Sequence, residues 1–491
     1  MNNLLLITRL FCFALLFLLS ACGGGGGNGG GGDVQTEEAE PENTETEDKA
    51  ASANGIVYGP IDRFGSMFVN GINFSTNNTD FFRGGVSAGE SNFEIGDMVT
   101  IRGTLDPDSN TGAASSVSYQ ENVIGAVTRT KQNSSIEVLG QTVTTDGLTD
   151  QTGFSSFSGL QLGDIVEITG AADGNGFILA SGIIFHASSP ESRVRGRVKN
   201  LDSTAQTFEI GNLTVDYSSA GLLDVPGNEL IDGLEVRVKS SQAVSGNILI
   251  AEIIRGFSTI SGEENDRVEI TGIINGIDTL GIFFIDTQPV EILSTTALTN
   301  GTAEDIQDGN QAEVEGRLNS NGVLLAEEVV FLPDTDTVVS ANVNAIDIQN
   351  GTVTALGATA TVNNLTRLVD KTGTASKTFS LAEVNLGDGI EIQGFIDESG
   401  KLVARKIKRF EPKTEVLIKG LAEDVDAAGS TVTVLGTTII LADDTWYEDI
   451  NGDQTDKAGF LAGLEAGVST IKATGAATNS DTFTASFIRL K

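Results

Sequence analysis

A single histidine, His186, stands in a chain of 491 residues, so a multi-histidine metal centre cannot be assembled within one chain. Basic residues are scarce: 30 Lys and Arg face 67 Asp and Glu, a formal net charge of −37. Nucleic-acid affinity comes mostly from cations that displace phosphate counterions, so no nucleic-acid partner is expected. There are two cysteines, Cys12 and Cys22. If Cys12 leaves with a signal segment, Cys22 has nothing to pair with, and the folded part relies on its cores alone. Proline is rare, at 8 residues, whereas glycine is abundant, at 59.

The amino terminus reads as an address. Arg9 and the free amine make a basic start, and Leu10 to Leu19 is an apolar run of ten residues. A bilayer span needs about 20 residues, so the run is predicted to be a secretion signal. Leu19-Ser20-Ala21-Cys22 ends it, small residues before a cysteine, with an ordinary signal and a free Cys22 thiol as the alternative. Next come the glycine tract 23–32, interrupted once by Asn28, and the segment 33–49 with eight acids and one lysine. Such a stretch buries too little apolar surface to offset its ordering entropy and is predicted to be a disordered tether. Its root-mean-square reach is roughly 30 Å.

Internal repeats organise the remainder. Gly96-Asp97-Met98-Val99-Thr100-Ile101-Arg102-Gly103 recurs as Gly163-Asp164-Ile165-Val166-Glu167-Ile168-Thr169-Gly170 and Gly387-Asp388-Gly389-Ile390-Glu391-Ile392-Gln393-Gly394, with weaker copies from Gly233, Gly309 and Gly467. An alanine followed three residues later by Ile or Val trails each copy, at Ala114, Ala180, Ala251, Ala326, Ala404 and Ala485. The spacing from glycine to alanine is always 17 or 18 residues. Upstream lie entries such as Gly55-Ile56-Val57 and hairpin patterns such as Phe68-Val69-Asn70-Gly71-Ile72. Alternating apolar residues broken by Gly or Asn-Gly mark half-buried strands and tight turns.

Each unit therefore reads as one strand, a hairpin of two strands, a variable stretch and two more strands. This is the order of the five-stranded OB barrel, with its longer, often helical link after the third strand. The predicted fold is all-β: six tandem small five-stranded OB-like barrels after a secretion signal and a disordered Gly/acidic tether. The boundaries are 1–21 signal, 22–54 Cys22 and tether, then repeats at 55–122, 123–190, 191–260, 261–335, 336–412 and 413–491. Small β-sandwiches or a continuous β-solenoid are the alternatives. Strung in line, the barrels would make a rod or arc on the order of 150 Å.

The lipobox-like Leu19 to Cys22, the glycine tract and the tandem strands followed by Ala-x-x-Ile resemble bacterial lipoproteins built from a widespread domain of unknown function, predicted to be OB-like. The resemblance covers 55–491, and the first, second and fifth units fit it best. It implies cleavage before Cys22, acylation of that residue and an anchor in the membrane, since two or more acyl chains hold a protein stably. Gly23 after the cysteine implies the outer membrane rather than the inner. No activity or catalytic position comes with the resemblance.

Several side chains invite a functional reading. Arg193, Arg195, Arg197 and Lys199 fall on one face of an extended segment, and Arg237 and Lys239 share a face of the neighbouring fourth strand. Together they are the candidate anion-binding patch, for a phosphorylated glycan or a lipid headgroup; pairing with neighbouring units is the plainer reading. Glu313 and Glu315 take the equivalent places of Arg237 and Lys239 in the next unit. Arg405 to Arg409 is a second basic strand end. Asp449, Asn451, Asp453 and Asp456 sit at positions 1, 3, 5 and 8 of a calcium-type loop, but Gln454 replaces its glycine and Phe460 its final acid. The run from Asp106 to Gly112 has similar alternation and also fits a hairpin turn. Asp97, Asp164 and Asp388 are read as turn formers, and His186 as a packing or strand-end residue. Trp446 with Tyr447, or Phe81 with Phe82, could stack on a sugar.

No catalytic residue emerges. The expected function is a lipid-anchored, non-catalytic cell-envelope protein that binds a polysaccharide or an envelope-protein partner. A structural spacer or scaffold without a ligand is the alternative, and a calcium-binding protein or an enzyme the third class.

Overall fold

Half-buried alternation runs through nearly every strand. In Gln311–Leu318, for example, Ala312, Val314, Gly316 and Leu318 point inward while the residues between them face outward. Sheets with one such face must close over a core or pack on another layer. The computed structural model describes residues 53–491 apart from 107–108, 132–134, 189–190, 259, 278–280 and 374–377. The signal, Cys22 and most of the tether lie outside the described residues.

The fold is all-β, with several small five-stranded barrels. In the first repeat, β1 (Ala53–Arg63) pairs antiparallel with β4 (Met98–Asp106) along its first half and with β2 (Met67–Val69) along its second. β2 pairs with β3 (Ile72–Ser75), β3 runs parallel to β5 (Thr111–Tyr119), and β5 returns to β4, which closes the circuit. The circuit recurs through 123–186, 267–331 and 337–410. It also runs through 192–256 and 416–490, where the first strand is interrupted at Val198 and at Ala422. β1 starts at Ala53, inside the expected tether, because Ala53 and Asn54 pair with Leu105 and Thr104. The variable stretches hold single 3-10 turns such as Phe157–Gly159 rather than a helix, except for α1 (Lys457–Ala462).

The two sequence patterns have one cause. The opening glycine adopts a left-handed backbone, with φ of +88° at Gly96 and Gly387 and +89° at Gly163. The aspartate after it accepts the N–H three residues back: Asp97 from Glu94, Asp164 from Gln161, Asp388 from Asn385, at 2.8–2.9 Å. The closing glycine lies opposite the repeated alanine at a β-bulge, as in Gly103 with Ala114, Gly170 with Ala180 and Gly394 with Ala404. A Cβ on Gly103 would sit 2.0 Å from the Ala113 carbonyl oxygen, so only glycine fits. The invariant spacing is therefore one strand, one hairpin turn and one bulge.

At the alanine the third strand bows away from the fifth, and a threonine hydroxyl spans the gap. Thr149, Thr296, Thr366 and Thr445 donate to the carbonyls of Ala180, Ala326, Ala404 and Ala485 at 2.6–2.7 Å, and Thr79 donates to Ala114 at 2.8 Å.

The barrels are not strung in line, which corrects the expected rod. First strands pair with one another: β1 runs parallel to Arg267–Asn275, Val123–Lys131 antiparallel to Ser192–Arg197, and Thr337–Asp347 antiparallel to Val416–Leu421. The cores follow these pairings. One apolar cluster spans the second and third repeats, another the fifth and sixth, and Ile56, Tyr58 and Met98 of the first repeat join the core of the fourth. Consecutive repeats on a short linker cannot separate the first and fourth units by three barrel diameters and still pair their strands, so the chain folds back on itself.

Candidate functional site

The basic strand does pair with its predicted neighbour: Arg195 lies opposite Arg237, and Arg193 opposite Lys239. It is not an outward-facing patch. Arg195 is buried and bonds Asp286 of the fourth repeat, whose Oδ2 also accepts from the Tyr58 hydroxyl of the first at 2.9 Å. Its Nε lies 3.4 Å from Glu235. Burial raises the Tyr58 hydroxyl pKa, and burial likewise raises that of the Glu235 carboxyl. Arg193 and Arg237 reach Glu121 at 3.4 and 3.7 Å, and Lys239 pairs with Glu191 at 2.7 Å. Arg197 lies over the Phe284 ring, and Lys199 bonds Asn175. An unpaired cation at a packed junction would be costly, and the acidic surplus supplies carboxylates for Arg193, Arg195, Arg237 and Lys239.

Other junctions are built alike. Between the first and second repeats, Arg83 donates to Asp97 at 2.7 Å and to Glu167 at 2.8 Å, and Glu167 meets His186 Nε2 at 2.9 Å. His186 thus ends its strand in an inter-strand ion-pair network. Burial, the largest effect, pushes the Asp97 carboxyl up to about 6 against the pull of Arg83. Between the first, second and fifth repeats, Arg367 donates to Asp62 at 2.9 Å and to the Leu148 carbonyl at 2.8 Å, and Lys406 lies 2.7 Å from Asp150.

The remaining candidates separate. Tyr447 is buried and donates to the Ala442 carbonyl, while Trp446 is 48% exposed, so the pair is no platform. Phe81 is buried against Phe93, ring centroids 5.5 Å apart, and Phe82 points the other way, as neighbours on a strand must. In the calcium-type loop, Asp449 Oδ1 accepts the N–H groups of Asn451 and Asp453, and Asp456 caps α1 by accepting from Gly459. Among the described residues no group of three or more His, Cys, Asp or Glu converges on a metal position, so the four loop residues are not drawn together as a ligand set. Asp106 and Thr111 pair across a hairpin, although Pro107 and Asp108 lie outside the described residues.

Sequence reasoning missed a cavity of about 600 Å³ where the first, second, fourth and fifth repeats meet, with Lys419 of the sixth at its edge. Met98, Phe177 and Ile273 supply apolar wall; Arg367, Gln393 and Arg405 supply polar groups. Arg367 is committed to Asp62, Lys419 to Asp336 at 2.6 Å, and Gln393 to the Thr335 carbonyl at 3.1 Å. Arg405 has no hydrogen bond or ion pair among the described residues, and its Nε is shut off from solvent. No local signal could have disclosed this, because the walls come from segments far apart in sequence.

The sequence model of a family described as "Domain of unknown function (DUF5666)" matches residues 55–118, 124–183, 271–330 and 338–408, together more than half of the chain. A search of the curated proteins found no match.

Proposed function

Since the chain belongs to the DUF5666 family of domains of unknown function, a description that carries no chemistry of its own, we propose that it serves as a lipid-anchored, non-catalytic body of a bacterial cell envelope. Its barrels would bind a polysaccharide or an envelope-protein partner, and Cys22 would hold it to the membrane, the outer one by the residue that follows.

The observation that carries this reading is where the repeated polar residues go. Turn aspartates cap turns, threonines close bulges, and the conspicuous cations join one repeat to another. Repeated chemistry devoted to architecture supports a stiff platform rather than a reaction centre. A scaffold without a ligand is the second reading, favoured by the same junctions, which stiffen the body whether or not it binds anything.

Fractionation of cells making the full chain tests the anchor. Membrane association should be lost in Cys22→Ala and the precursor should accumulate with globomycin; unchanged fractionation would refute the lipid. Pull-down of envelope polysaccharide and protein by the full chain tests binding. Absence of any partner at low and high salt leaves the scaffold.

A further inference from the structure

We infer that the cavity between the first, second, fourth and fifth repeats binds a small organic anion, its carboxylate or phosphate held by Arg405 and its apolar part by Met98, Phe177 and Ile273. This rests on reading the chain as a binding body.

The argument starts from the bulge. At the bulge, one residue after the alanine is skipped by the ladder: Ser115, Ser181, Glu327, Arg405 and Ser486 occupy that place. In three of these the serine hydroxyl donates to the backbone carbonyl across the bulge, from Ser115 to Arg102, Ser181 to Thr169 and Ser486 to Thr474, at 2.9, 3.1 and 3.2 Å. The fourth repeat has Glu327 there, which reaches Arg317 at 3.2 Å, and the fifth has an arginine. A bulge re-aims the side chain it carries, and here it turns Arg405 onto the cavity wall.

Guanidinium stays charged at any physiological pH and carries five donors, so burying one without partners is expensive. Asp62, Glu313 and Asp146 attract Arg405 through space, but none hydrogen-bonds to it among the described residues: Asp62 accepts from Arg367 and Glu313 from Thr271. Asp146, also on the wall, accepts the N–H groups of Leu148 and Thr149. The cavity thus offers one guanidinium without a hydrogen-bond partner among the described residues, apolar walls and a volume within the range of small-molecule sites. Arginine forks fit carboxylate and phosphate alike.

Calorimetric titration of the full-length chain with benzoate, phenyl phosphate and the neutral benzyl alcohol tests this. At least one anion should bind tenfold or more tightly than the alcohol, and the stronger of the two identifies the head group. Arg405→Gln should weaken that binding at least tenfold. Thr335→Trp, which keeps Arg405 but fills the cavity edge, should abolish it, and this variant decides the matter if Arg405→Gln does not fold. No binding of either anion at millimolar concentration, or binding undiminished in the folded variants, overturns the inference. Membrane release and polymer pull-down play no part in this titration, so failure here is distinct from failure of the envelope reading.

Discussion

Lys406 Nζ lies 2.7 Å from Asp150 Oδ1 and donates to the Leu148 and Thr149 carbonyls as well, so a lysine of the fifth repeat is buried against an irregular stretch of the strand Gln141–Thr152 of the second. Burial pulls its pKa down to about 8 in spite of the carboxylate. Removing one partner leaves the other charge stranded, a loss of about 3–5 kcal/mol. Lys406→Met should therefore lower the urea midpoint strongly, and Lys406→Met with Asp150→Leu should recover part of it; a double-mutant cycle measures the difference. For a base with a depressed folded pKa, stability is fully present above pH 10.5 and is lost as pH falls through about 8.

Asp97 gives the opposite slope. Its folded pKa, about 6, stands above the ordinary 3.8, so the folded state holds the proton more tightly than the unfolded chain. Its contribution is fully present below pH 3.8 and is lost as pH rises through about 6. Asp97→Asn keeps an acceptor for the Glu94 N–H and should flatten the melting temperature between pH 4 and pH 6.5 relative to the parent chain. An unaltered slope would show that Asp97 does not titrate in this window.

Gly394→Ala places a Cβ 2.0 Å from the Val403 carbonyl oxygen, against backbone that cannot step aside without undoing the bulge. A loss of about 3 kcal/mol or more is expected, in line with backbone strain and overpacking at a fixed site. The comparison is Gly429→Ala, where the nearest atoms belong to the Asp426 side chain and can yield. Thermal unfolding of both variants checks the contrast.

Thr366→Val removes the hydroxyl that donates to the Ala404 carbonyl at 2.7 Å and leaves a buried acceptor unsatisfied. The expected cost is about 1–3 kcal/mol, and Thr366→Ser should keep most of the stability. Equal denaturation midpoints for the Val and Ser variants would remove the hydroxyl from the account.

The sequence by itself determined the barrel. A left-handed glycine before an aspartate, a second glycine where a bulge admits no Cβ, and an alanine opposite it are local demands of backbone sterics, so they repeat at a constant spacing and can be read without coordinates. Threonine was less legible: it lies in the variable stretch and meets the alanine carbonyl only after the third and fifth strands are side by side.

Tertiary structure decided what the charged residues do. Arg193 to Lys199 alternate like an exposed basic face, yet Arg195 meets Tyr58, Glu235 and Asp286, drawn from three repeats. Periodicity reports which face of its own strand a side chain occupies, but not which other barrel will cover that face. The cavity at Arg405 belongs to the same category, because its walls and the burial of that guanidinium exist only once four repeats have closed around them.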